Sequence, residues 1–146
     1  MKNDVGQDLR KRVAERAYHV CEYCLIHEED VFWGFEVDHV ISRKHGGPTH
    51  FDNLAWTCVS CNRNKGTDIA TMSGSPPKLT ALFHPLRDAW SEHFLLQQIR
   101  IEGLSPTGKG TATLLKLNDD THLKERFYLQ SVGRYPTMEA LARMKD

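Results

Sequence analysis

The chain's four cysteines come as two close pairs, Cys21-Glu22-Tyr23-Cys24 and Cys58-Val59-Ser60-Cys61. Within each pair the spacing lets two sulfurs reach one ion, and four thiolates suit tetrahedral Zn²⁺, which is borderline-soft and redox-inert. A shared ion forces the chain to leave one point at Cys24 and return to it at Cys58. Residues 25–57 lie between the pairs, a stretch well beyond the roughly 15–20 residues of a simple zinc ribbon. A structured insert is therefore expected between two knuckles. The alternatives are two unrelated pairs of thiols, or a thioredoxin-like dithiol. The dithiol is disfavoured because neither pair opens a helix after a predicted strand.

The compartment bears on this reading. No apolar run approaches the roughly 20 residues a membrane helix needs, and the opening MKNDVGQDLR lacks the apolar core of a secretory signal. A cytoplasmic protein is expected, without a membrane partner. In a reducing compartment, paired CxxC motifs mean metal or redox chemistry more often than disulfides.

The insert carries its own anomaly. In VDHVISR, residues 37–43, Val37, Val40 and Ile41 read as a buried strand, yet Asp38 and His39 stand inside the apolar run. Burying a carboxylate costs several kcal/mol or more, on the order of a desolvated ion, unless it is paired or binds a metal. The strand is predicted over FEVDHVIS, 35–42. KHGGPTHFDN, 44–53, is a loop broken by Gly46, Gly47 and Pro48, with Asp52 or Asn53 able to N-cap the next element. LAWTCVSCNRNK, 54–65, then reads as a short helix ended by Gly66. Adjacent residues of a regular strand point to opposite faces. Asp38 and His39 can thus serve one site only if the strand twists or ends there.

Taken in order, CxxC…DH…GG…DNL…CxxCN..KG resembles the HNH endonuclease family in its ββα-metal form, braced by a four-cysteine zinc site. The matching residues are Cys21, Cys24, Asp38, His39, Gly46, Gly47, Asn53, Leu54, Cys58, Cys61, Asn62, Lys65 and Gly66. The resemblance implies hydrolysis of phosphodiesters in nucleic acid, DNA in the first place, leaving 5′-phosphate and 3′-hydroxyl ends. It makes His39 the general base, since a neutral imidazole can take a proton from water near pH 7. Asp38 and Asn62 become hard oxygen ligands for a catalytic Mg²⁺ or Mn²⁺. Asn53 is given a supporting role, tying the hairpin down and orienting His39. The last histidine of the family pattern is Asn62 here, as in HNN variants. An amide oxygen in place of an imidazole disfavours Zn²⁺ or Ni²⁺ at the catalytic site. Asn64, at a different offset from Cys61, is the weaker ligand candidate.

Arg43, Lys44, Arg63 and Lys65 lie close in sequence to this set and are the candidate phosphate contacts. His45 and His50 are expected as bystanders flanking the Gly-Gly-Pro loop. His84, Asp88 and His93 are expected at packing or surface positions rather than on a second metal. The formal net charge is +0, so no global field advertises a polyanionic partner.

Outside the insert, a helix is expected from about Gln7 to Tyr18 on the recurrence of Leu9, Val13 and Ala17. TMSGSPPKLT, 71–80, reads as a connector. LFHPLRDAWSEHF supplies Leu82, Phe83, Trp90 and Phe94 for packing. QQIRIEGL alternates like a strand, Ser105-Pro106 opens a helix, DDTHLKERFYLQSVG forms another ended by Gly133, and TMEALARM a terminal turn or two. LFHPLRDAWSEHF and IEGLSPTGKGTATLLKLN also resemble the C-terminal extension of a bacterial HNH subfamily. The expected architecture is α+β: a zinc-braced ββα-metal core with an N-terminal helix over 1–70, a connector over 71–80, and a C-terminal extension packed on the core over 81–146. The rival function is a non-catalytic zinc module that binds nucleic acid or protein. Such a module has no need of Asp38, His39, Asn53 and Asn62 together.

Overall fold

The computed structural model describes residues 5–146; Met1–Asp4, the start of the first expected unit, lie outside the described residues. Helix α1, Gln7–Arg16, buries Val13 and Ala14. It stops short of Tyr18, because Tyr18 and His19 take left-handed backbone (φ 57° and 65°) and turn the chain into the first knuckle. Val20 bridges His27 across that knuckle, with Leu25 at φ 67°.

Strand β1, Phe35–His39, then pairs antiparallel with β2, Leu54–Cys58, in the register Phe35↔Cys58 to His39↔Leu54. Helix α2, Val59–Lys65, follows β2 without a gap. The expected helix over 54–65 is thereby corrected: its first five residues are a strand. All five are buried, so the helical spacing of their apolar residues never had a solvent side to contrast with. Nor does Asn53 cap a helix. It closes a 3-10 turn, Phe51–Asn53, and the cap of α2 is Cys58, whose Sγ accepts from the Cys61 amide at 3.4 Å.

The Ser/Gly/Pro-rich stretch read as a connector folds as an antiparallel hairpin of β3, Ala70–Ser73, and β4, Lys78–Ala81. Helix α3, Trp90–His93, leads into β5, Phe94–Gln97, which pairs with β6, Arg100–Gly103. The single strand expected over QQIRIEGL is thus split by a turn at Gln98, whose φ is 60°. Helix α4, Pro106–Leu114, is capped by Ser105, whose hydroxyl accepts from the Gly108 amide at 2.9 Å. Gly110 does not break it. A Cβ there would stand 3.0 Å from Thr71 Cγ2, so its absence lets α4 lie on the β3–β4 hairpin. Helices α5, Asp120–Ser131, and α6, Met138–Lys145, complete the chain, capped by Asp119 and Thr137. Helices with small antiparallel sheets give an α+β architecture.

One continuous apolar core runs from Val13 and Ala17 through the cysteines to Trp90, Phe94, Leu117 and Tyr135. Polar ties cross it. Trp90 Nε1 donates to the Tyr23 carbonyl at 3.1 Å, and the Tyr135 hydroxyl donates to the Cys24 carbonyl at 2.8 Å. The buried Arg143 donates to Glu22 Oε1 (Nη2, 2.9 Å) and to the Pro85 carbonyl at 2.7 Å. Glu22 Oε2 in turn accepts from the Trp56 amide at 2.8 Å. Arg143 therefore couples α6 to the first knuckle and to β2. Replacing it with methionine strands a carboxylate that is 1% exposed. That should cost about 3–5 kcal/mol, read as a lowered urea midpoint by circular dichroism.

Candidate functional site

The four sulfurs meet. Their Sγ atoms all lie within 4.8 Å of one another, and Cys24 Sγ is 3.8 Å from Cys58 Sγ. Four sulfurs about 2.3 Å from one zinc ion stand about 3.8 Å apart in a tetrahedron. All four residues are buried and none forms a disulfide. The donor set fits a closed, structural zinc site. Among the described residues it is the one convergent group of three or more His, Cys, Asp or Glu ligand atoms. His84, Asp88 and His93 do not converge. The Asp88 carboxylate accepts from the His84 amide, and His93 Nδ1 pairs with the Ser105 hydroxyl.

The zinc-braced return of the chain sets α2 against β1. On β1, Glu36 and Asp38 share a face, two residues apart. On α2, Asn62 and Lys65 share a face, three residues apart. The two faces meet in register: Asn62 Nδ2 donates to Glu36 Oε1 at 2.6 Å, and Lys65 Nζ stands 3.2 Å from Asp38 Oδ2. Lys65 also donates to the His39 carbonyl at 3.3 Å. His39 is the last residue of β1. Its Nε2 lies 2.8 Å from Thr49 Oγ1, in the loop between the two strands. Asp38 and His39 thus leave the strand in different directions, yet both line one cleft of about 490 Å³ with Arg10, Glu36, Arg43, Lys44 and Asn62. The strand ends where the sequence required it to.

The loop that carries Thr49 is held by Asn53. Its Oδ1 accepts from the Ile41 amide at 3.0 Å, and its Nδ2 donates to the Ile41 and Pro48 carbonyls, each at 2.9 Å. Gly47 permits that closeness, since a Cβ there would fall 1.7 Å from the Ile41 carbonyl oxygen. Asn53 bonds to the loop backbone rather than to the His39 ring.

Of the expected phosphate contacts, Arg43 and Lys44 are exposed and line the cleft. Arg63 is exposed on α2 but outside the cleft lining. Lys65 is a correction. It is 2% exposed and its ammonium faces Asp38, so it does not reach a phosphate at the surface. Asn64 Nδ2 donates to the Leu115 carbonyl at 2.8 Å, which ties α2 to the C-terminal half instead of facing the cleft. His45 and His50 are exposed.

Sequence reasoning missed Glu36, Thr49 and Arg10. The period of the strand was a signal for Glu36, two residues before Asp38. Arg10 carried none, because only the packing of α1 brings it to the cleft, where it donates to the Phe35 carbonyl at 2.7 Å.

Burial pushes the Asp38 carboxyl up from 3.8 to about 6, and the Lys65 ammonium opposes that rise. The pair is desolvated and mutually dependent.

Residues 21–68 match the HNH endonuclease family model. The match begins at the first zinc cysteine and ends just after α2, so it spans the zinc site and the whole β1–loop–β2–α2 cleft. An HNH segment points to nuclease or other nucleic-acid-related function. Comparison with curated proteins and with solved structures found no significant match.

Two outcomes are expected. The purified protein should carry one zinc ion per chain by elemental analysis. Cys58→Ser should lose the ion and the cooperative unfolding transition, because ion binding is folding free energy at such a site. Second, Lys65→Met should cost stability in a pH-dependent way. The folded Asp38 carboxyl already titrates above its unfolded value, so its protonated form favours the fold, an advantage lost as pH rises through about 6. Without Lys65 the carboxyl should titrate higher still. The variant's deficit should be small at pH 5 and should grow above pH 6 toward about 3–5 kcal/mol, measured by urea denaturation at both pH values. A deficit that is independent of pH would refute the pairing.

Proposed function

We propose that the protein is a metal-dependent endonuclease that hydrolyses phosphodiester bonds, with DNA as its substrate, in the cytoplasm. The observation that carries this reading is the cleft itself, which His39 lines together with Glu36, Asp38 and Asn62 and with the cations Arg43 and Lys44. A nucleic-acid-binding module would gain nothing from two carboxylates on the floor of its binding cleft, since they repel phosphate.

The donor set fits a hard divalent cation. Carboxylate and amide oxygens suit Mg²⁺ or Mn²⁺, and no thiol or second imidazole is in the lining to favour a softer ion. Asp38 and Asn62 would hold it. Such an ion supplies charge relief at the phosphate and at the departing 3′-oxygen. His39 takes the proton of the attacking water on its imidazole. Thr49 fixes the ring through Nε2; with Nε2–H donating to the Thr49 hydroxyl, Nδ1 is the nitrogen that takes the proton. Asn53 holds the Thr49 loop to the backbone after β1. Arg43 and Lys44 position the phosphate backbone. Lys65 keeps Asp38 ionised despite its burial.

His39→Ala should lower single-turnover cleavage of a plasmid by on the order of 10²–10⁴-fold, with zinc content and DNA affinity close to wild type. Chelation mild enough to spare the cysteine-bound zinc should stop cleavage, and added Mg²⁺ or Mn²⁺ should restore it. A His39→Ala protein that cleaves at the wild-type rate, or a wild type inactive on every DNA and RNA tried, would favour a binding module.

A further inference from the structure

We propose that Glu36 is a positioning residue: its carboxylate dictates which atom of the Asn62 amide is presented to the cation of the cleft. The inference rests on the nuclease reading above.

Asparagine offers a cation opposite ends. The amide oxygen is a ligand and the NH₂ group repels, and the two differ by a half-turn about one side-chain bond. Nothing in the backbone of α2 chooses between them. Glu36 does. An ionised carboxylate has acceptors only, so the 2.6 Å contact with Glu36 Oε1 must be made by Asn62 Nδ2. Because the amide is planar, Oδ1 is then turned away from Glu36.

Glu36 is itself held in place. Its carbonyl accepts from Thr57 Oγ1 at 3.1 Å, and Glu36 pairs with Thr57 in the β1–β2 register. The strand therefore fixes the backbone from which the carboxylate reaches, and the carboxylate orients the amide that the helix brings opposite it. An imidazole at position 62 could donate its second ring N–H to the same carboxylate; the amide differs in that the carboxylate must also choose which of its two ends faces the cation. The amide at 62 and the carboxylate at 36 form one unit.

The test is Mn²⁺ binding to the zinc-loaded full chain, followed by electron paramagnetic resonance, which reads the ion without requiring cleavage. Glu36→Ala should weaken Mn²⁺ binding by about 10–100-fold, the usual effect of losing the partner that orients a ligand. Glu36→Gln should keep clearly more affinity than Glu36→Ala, since its side-chain carbonyl can still accept from Nδ2, although its amide can also turn and donate to Oδ1. Glu36→Lys should bind as poorly as Asn62→Ala, because a donor at position 36 would draw Oδ1 to itself. Zinc content and circular dichroism report whether each variant is folded.

If Glu36→Gln loses as much affinity as Glu36→Ala, Glu36 is a ligand rather than a positioning residue and the proposal fails. If all three variants bind as wild type does while Asp38→Ala does not, the proposal fails and the metal site stands. If the wild type binds no Mn²⁺ outside the cysteine site, the metal-dependent reading fails together with the proposal.

Discussion

The convergence of four cysteine sulfurs is the constraint on which the rest of the structure depends. It brings the chain at Cys58 back to where it left at Cys24, and α2 begins at the very next residue. The start of α2 is therefore fixed relative to β1, because Cys58 is also the partner of Phe35 in the hairpin register. A seven-residue helix has little stability of its own. Anchored at Cys58 and Cys61, it becomes rigid enough to hold Asn62 and Lys65 opposite Glu36 and Asp38. The C-terminal half backs the same knuckle: Trp90 and Tyr135 hydrogen-bond to the carbonyls of Tyr23 and Cys24. The site is thus assembled on short elements whose precision comes from the sulfur centre and from packing around it.

Much of this was legible in the sequence because the informative residues sit at fixed local offsets. The CxxC pairs, the DH dipeptide, the Gly-Gly turn and Asn62 after Cys61 each carry their meaning in spacing. The cap at Ser105 was legible for the same reason. Burial was not. Leu54–Cys58 is enclosed on both faces, so no polar alternation distinguished strand from helix. Lys65 next to Arg63 reads as a basic surface, and only the fold reveals that one of these cations is inside and the other outside. The hairpin over 70–81 was hidden by its composition, because its pairing is secured by α4 crossing at Gly110 rather than by strong strand formers.

Lys65 also shows how the site manages its charge. Burial raises the Asp38 carboxyl to about 6 even with Lys65 opposing the rise, and under the nuclease reading a protonated carboxyl would be a poor ligand. The ammonium opposite it shifts the balance toward the ionised form, and the same ammonium steadies the end of β1 through the His39 carbonyl. The buried pair is weak evidence for stability. Under the nuclease reading its value lies in the ionisation state it favours at Asp38.

The cleft then poses an electrostatic problem for any phosphodiester. Its lining sets Glu36 and Asp38 among Arg10, Arg43 and Lys44, Asp38 is paired with the buried Lys65, and the chain as a whole is neutral. Under the nuclease reading the rim cations attract the backbone from outside, while the Glu36 carboxylate opposes a phosphate that approaches His39. A divalent ion held between Asp38 and Asn62 would reverse the sign of the floor, since a bound cation is the largest local charge at such a site. Under the nuclease reading, charge at the rim governs whether nucleic acid binds, and the ion governs whether one phosphate can enter. The orientation of the Asn62 amide belongs to the second step, because only its oxygen end makes the floor a place for the ion.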